Sequence, residues 1–142
     1  MTAEFGGVLQ EVEFLVAERR TLMAAGPSFK IISQNDEIAA VVFVHRTAEI
    51  PLKLSITALR IFDYLARHRF LLQSATQIEA GLHHKVGRRL IKQYVRRLRQ
   101  SFEDAFAAAE LRLDPYAVLI SEQTDVNQIL YRLHARIEWE YQ

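Results

Sequence analysis

The stretch VGRRLIKQYVRRLRQSFEDAFAA, residues 86–108, decides how the rest of the chain is read. Val86, Leu90, Ile91, Tyr94, Val95, Leu98, Phe102 and Phe106 recur at three- and four-residue spacing and form one apolar stripe along a helix. At about 100° per residue, Arg88, Arg89, Lys92, Gln93, Arg96, Arg99 and Gln100 collect on the other side, and only Arg97 flanks the stripe from its far edge. Five of the six bases between positions 88 and 99 are arginine, whose planar fork bonds a guanine edge or a phosphate bidentately. A helix face that is only solvated interleaves acids with bases. Here Arg88, Lys92 and Arg96 are like charges at i, i+4 with no acid to offset them, which costs helix stability until a partner brings negative charge.

The charge of the whole chain hides this segment. The 142 residues carry a formal net charge of +1. Residues 1–79 hold nine acids and eight bases, residues 80–102 seven bases and no acid, and residues 103–142 eight acids and three bases. One strongly positive face can therefore sit on a nearly neutral protein. Half of the residues are hydrophobic and a quarter charged, which suits a folded domain and excludes a low-complexity or disordered chain. The absence of cysteine excludes disulfides, thiolate nucleophiles and cysteine-ligated metals. The longest apolar run, Ile38–Val44, is too short to span a membrane. The opening MTAEFGGVLQEVEF has no basic segment followed by an apolar one, so the expectation is no signal peptide and a cytoplasmic, nucleoid-associated location.

Working towards the N-terminus, Ser74-Ala75-Thr76-Gln77 has capping-box spacing and opens a short helix over 75–82, with Ile78 and Leu82 inward and Gly81 favouring its end. Ser55 or Thr57 caps a helix running to about His68, with Leu59, Phe62, Leu65 and Ala66 as its stripe. Before it come three β segments, Phe29–Ser33, Ile38–Arg46 and Ile50–Leu54, separated by the turns Gln34-Asn35-Asp36 and Thr47-Ala48-Glu49. Residues 8–24 read as an amphipathic helix stopped by Gly26-Pro27, which either dimerises or packs over the sheet. The expected organisation is an N-terminal helical arm, 1–26, and a domain over 27–142.

Towards the C-terminus, Asp114-Pro115 breaks the chain, Tyr116–Glu122 reads as a strand and Thr124–Asn127 as a turn. Gln128–Tyr141 alternates apolar and polar residues as a second strand, although Ile129, Leu130, Leu133 and Ile137 also fit a helix. Arg132, His134 and Arg136 share one side of that strand, as wing contacts to phosphate or as an exposed face.

Sheet, capped helix, short capped helix, long basic helix and hairpin follow one another in the order of a winged helix-turn-helix. The third helix of such a module lies in the major groove, and the hairpin, or wing, touches the backbone or minor groove. Residues 38–139 resemble the effector domain of OmpR/PhoB-type response regulators. The resemblance rests on Leu54-Ser55-Ile56-Thr57-Ala58-Leu59-Arg60-Ile61-Phe62-Asp63-Tyr64-Leu65 and on Val95-Arg96-Arg97-Leu98-Arg99-Gln100-Ser101-Phe102. It implies an N-terminal sheet, three helices, a C-terminal hairpin and transcription-factor activity at paired sites. Arg60 stands where such proteins carry an acid, the glycine-tyrosine ending of the wing is missing, and no receiver domain is read ahead of the module.

The expected fold is therefore an α+β winged helix with an extra N-terminal helix, and the expected function is sequence-specific binding of double-stranded DNA. Helix 86–100 would read the major groove and hairpin 116–141 would be the wing. Lys85, Arg88, Arg89, Lys92, Gln93, Arg96, Arg99, Arg132 and Arg136 are the expected contacts, with Gln93 placed at an adenine edge. Ser74 and Gln77 would hold the short helix and reach phosphate through its N–H groups. A homodimer and a regulatory protein or RNA polymerase are the expected protein partners. The competing reading is a winged helix whose basic face docks an acidic protein, and RNA comes third for want of exposed stacking aromatics. Adjacent His83-His84 point apart on any regular element and suggest no metal. No HExxH, phosphate loop, dinucleotide glycine pattern or G-x-S-x-G occurs, so neither enzymatic activity nor a cofactor is expected.

Overall fold

Two left-handed residues start the first sheet. Asn35 and Asp36, at φ of 53° and 63°, close a tight turn between β1 (Ser28–Gln34) and β2 (Glu37–His45). Asn and Asp tolerate that conformation, and its twist matches the flanking strands. The computed structural model describes residues 26–82 and 86–142, so the expected helix over 8–24 and the positions His83, His84 and Lys85 lie outside the described residues. The antiparallel register sets Phe29 opposite Phe43 and Ile31 opposite Val41, with a bulge between Ile32 and Ser33. A third strand, β3 (Ala48–Pro51), continues the meander; it starts two residues before the expected Ile50–Leu54 segment, so Ala48 and Glu49 pair with His45 and Val44 and do not form the expected turn. It ends at a proline, which has no N–H to offer the ladder.

The helices follow their caps. The Ser55 side chain accepts from the Ala58 N–H at 3.3 Å and starts α1 (Ile56–Arg67), which buries Leu59, Ile61, Phe62 and Leu65. Ser74 and Gln77 form the full capping box of α2 (Ala75–Gly81), with Gln77 N donating to Ser74 Oγ at 3.1 Å and Ser74 N to Gln77 Oε1 at 2.8 Å. The longest helix, α3 (Arg88–Ala108), buries Ile91, Val95, Leu98, Phe102 and Phe106. Leu90 departs from the expected stripe at 44% exposed, because Ile91, one step round the helix, takes the core position.

The C-terminal third corrects the sequence reading twice. Tyr116–Glu122 is not a single strand. Asp114 accepts from the Tyr116 N–H at 2.9 Å, Pro115 occupies the first turn, and a one-turn helix α4 (Pro115–Val118) precedes β5 (Leu119–Gln123). Gln128–Tyr141 is also two strands, β6 (Ile129–Leu133) and β7 (Arg136–Tyr141). The His134 N–H still bonds Val118 O at 2.7 Å, but the Arg136 N–H bonds Pro27 O at 2.8 Å, so the chain passes from one sheet to the other at His134-Ala135. Buried Ala135 keeps the inward parity across that step, which is why the alternation runs unbroken.

The result is a mixed α+β fold with two sheets. One has four strands in the order β3-β2-β1-β7, with β7 parallel to β1. The other has three, β4-β6-β5, in which the C-terminal hairpin pairs with a two-residue strand β4 (Gln73–Ser74) just before α2. A layer of rings joins the first sheet to the helices. Phe29 lies 5.3 Å from Phe62 and 5.2 Å from Phe102, and Phe43 lies 5.0 Å from Phe106, between ring centroids. Each of these fully buried rings contributes roughly 1.5–3 kcal/mol by removal from water. Among the described residues no helix is long and apolar enough to cross a membrane.

Candidate nucleic-acid interface

Burying one face of α3 leaves the other to solvent. Arg88, Arg89, Lys92, Gln93 and Arg96 are all exposed. Lys30–Glu49, Lys30–Glu140 and Arg67–Asp63 are ion pairs, and none involves α3 among the described residues. Arg88, Lys92 and Arg96 make a row about 12 Å long at 1.5 Å per residue. The start of the helix adds to the imbalance. Gly87 supplies no side-chain cap, the first turn holds no acid, and Arg88 and Arg89 stand at the positive end of the helix dipole. Each such cation costs about 0.3–1 kcal/mol, and an anion placed there reverses the sign.

Arg99 does not belong to that face. Its Nε and Nη2 donate to the Leu119 carbonyl oxygen at 3.0 and 2.6 Å, and its guanidinium stacks on the Tyr116 ring at 4.3 Å. Burial is the main influence on its pKa and pulls it below the ordinary arginine value, while Tyr116, Tyr131 and Asp114 push it back up. The expected DNA contact is thus a strut between α3 and the hairpin. Arg97 is exposed and rests on Tyr94 at 5.1 Å.

Two other expected contacts are displaced. Ser74 is buried, its N–H donates to Gln77 Oε1 and its hydroxyl oxygen accepts from the Gln77 N–H, so the side chain serves the cap of α2. Arg136 belongs to the four-stranded sheet, away from the hairpin, because β7 has changed sheets. The hairpin that remains covers 119–133, not 116–141. Arg132 is on it, paired with Ile120, but its Nε is buried without a hydrogen-bond partner among the described residues. Glu122 and Asp125 are exposed on the same hairpin, so its charge does not match that of α3.

The structure brings together a set of residues that spacing alone does not join. Lys92 and Arg96 line a groove of about 180 Å³ against Tyr116, Ser121, Ile129 and Tyr131. Ser121 and Tyr131 are cross-strand partners of β5 and β6, so both sit on the hairpin face towards α3. The available signal was Tyr131 itself, a polar tip on an otherwise apolar side of its strand. No protein-family model, curated protein or solved structure matches the chain.

Proposed function

We propose that the protein binds double-stranded DNA as a winged helix, with α3 in the major groove and the β5–β6 hairpin beside it as the wing. One observation carries the reading: four exposed bases, Arg88, Arg89, Lys92 and Arg96, share a helix face with no ion-paired acid among the described residues, on a helix whose other face is locked into the core. The chain order supports it, since α1, α2 and α3 are followed by a hairpin that pairs with the strand between α1 and α2. The bases supply affinity through phosphates, and Gln93, the exposed uncharged polar residue between them, is the candidate for a base edge. The activity is transcriptional regulation in the manner of the OmpR/PhoB-type effector domains that the sequence resembles. Two copies would place two α3 helices on half-sites about 34 Å apart.

The acids at Glu122 and Asp125 favour a second reading, in which the basic face docks an acidic protein and the hairpin does not approach a phosphate backbone. Fluorescence anisotropy of a labelled duplex of about 30 base pairs, titrated at several salt concentrations, separates the two. Neutralising four phosphates gives a slope of about −3.6 in log affinity against log salt. Absence of binding at low salt overturns the DNA reading and leaves the acidic-protein one.

A further inference from the structure

We propose that the groove between α3 and the hairpin is a pocket for one phosphate group, in which Lys92 and Arg96 supply the charge and the Tyr131 hydroxyl donates a hydrogen bond. The assignment of that phosphate to the DNA backbone rests on the reading above; the pocket itself does not.

The argument begins with Tyr131. Its side chain belongs to the core, and the residue is only 4% exposed. Yet its hydroxyl has no hydrogen-bond partner among the described residues, and the residue lines the groove. The other tyrosine at the base of the hairpin sheet, Tyr64, is provided for: its hydroxyl donates to Gln73 Oε1 at 2.7 Å. The Tyr131 hydroxyl is not sealed from solvent, so it stands on the groove with its donor free for an incoming acceptor. Burial also holds the phenol above the ordinary tyrosine pKa, so it is a neutral donor throughout the physiological range.

The surroundings define the acceptor. Lys92 and Arg96 are exposed, one helical turn apart, and engaged in no ion pair among the described residues. Arg99 contributes its charge from behind while its Nε and Nη2 are occupied by Leu119. No acid lines the groove. Three cations, a phenol and the Ser121 hydroxyl select an oxyanion. The groove's volume of about 180 Å³ admits a phosphate group. Strut and stack fix the hairpin against α3, so the pocket is formed before the anion arrives.

The test uses the whole chain as wild type, Tyr131→Phe and Lys92→Gln, in duplex titrations over a range of salt. A hydrogen bond to a charged acceptor is worth roughly tenfold or more in affinity. Tyr131→Phe is expected to lose that factor on every duplex sequence while keeping the wild-type salt slope, because no cation is removed. Lys92→Gln is expected to flatten the slope by about 0.9. Wild-type binding matched by Tyr131→Phe overturns the proposal although the DNA reading survives. If the wild type binds no duplex, the DNA reading fails and inorganic phosphate decides the pocket. A rise in wild-type melting temperature beyond that given by chloride at equal ionic strength, absent in Tyr131→Phe, upholds the site for a free phosphate group; equal rises overturn it. Should Tyr131→Phe fail to fold, Lys92→Gln at its exposed position serves instead, and a wild-type phosphate response in that variant overturns the proposal.

Discussion

The guanidinium of Arg99 donates twice to the carbonyl oxygen of Leu119, at 2.6 and 3.0 Å, and so ties α3 to the first residue of the hairpin. Hydrogen bonds from a charged donor are worth about 1.5–3 kcal/mol each in favourable cases, and partial exposure lowers that here. Arg99→Met should therefore cost about 2 kcal/mol in urea unfolding. A loss under about 0.5 kcal/mol, the range of neutral surface changes, would show that the strut is idle.

Arg96 lies three positions away with the opposite fate. It is exposed, so Arg96→Glu should keep the wild-type melting temperature and abolish duplex binding at moderate salt. Arg96→Ala should bind weakly and lower the salt slope by about 0.9. A folded Arg96→Glu that binds at full affinity removes α3 from the interface.

Gln93→Ala tests base reading. A bidentate glutamine–adenine contact discriminates by about 1–3 kcal/mol at one base pair. Selection from a randomised duplex pool should show relaxed preference at one position with little change in total affinity. Uniform weakening would make Gln93 a backbone contact instead.

Gly81 is required by a neighbour, not by its own dihedrals. A Cβ at this position would collide with the Tyr64 ring at Cε2. Gly81→Ala should displace that ring, strain its hydroxyl bond to Gln73 and destabilise by roughly 1–3 kcal/mol, more than the gain in helix propensity of up to about 1 kcal/mol. Denaturant midpoints decide it, and an unchanged midpoint counts against the packing.

Alkaline pH should separate the tyrosines. Burial raises both Tyr131 and Tyr64 above the ordinary tyrosine value. The folded state then holds those protons more tightly than the unfolded one, so their contribution is complete below about pH 10 and is lost as pH rises through the folded values. Phenolate absorbance should show a late-titrating fraction that disappears in the Tyr64→Phe, Tyr131→Phe double variant. Stability of that variant should fall less above pH 10 than that of the wild type; an identical decline would assign it to other groups.

Legibility followed locality. The Ser74–Gln77 box is read correctly, and the first cap is narrowed to Ser55 or Thr57, of which the structure uses Ser55, because a cap is complete within four residues. The apolar stripe of α3 is read for the same reason, save Leu90. Asp114-Pro115 carried a helix-start signature that a reading as a simple chain break overlooks. The transfer at His134-Ala135 leaves no trace in the alternation, since both sheets turn the same side of the chain to one core. Nor could spacing tell Arg99 from Arg96: what divides them is the Leu119 carbonyl, supplied from twenty residues away. Ser74 is rightly read as a cap, and that role leaves it buried.

The parallel pairing of β1 with β7 also sets a schedule for synthesis. At its far end Gln34 bonds Gln142, 108 positions along the chain. A ribosome adding about 5–20 residues per second leaves β1 with one bare edge for roughly 5–20 s after β2 has paired with the other. During that interval the nascent protein offers an open ladder to any neighbouring strand, a known route to misassembly. Arrival of residues 136–141 closes it, so the completeness of the first sheet reports that translation has passed beyond the hairpin.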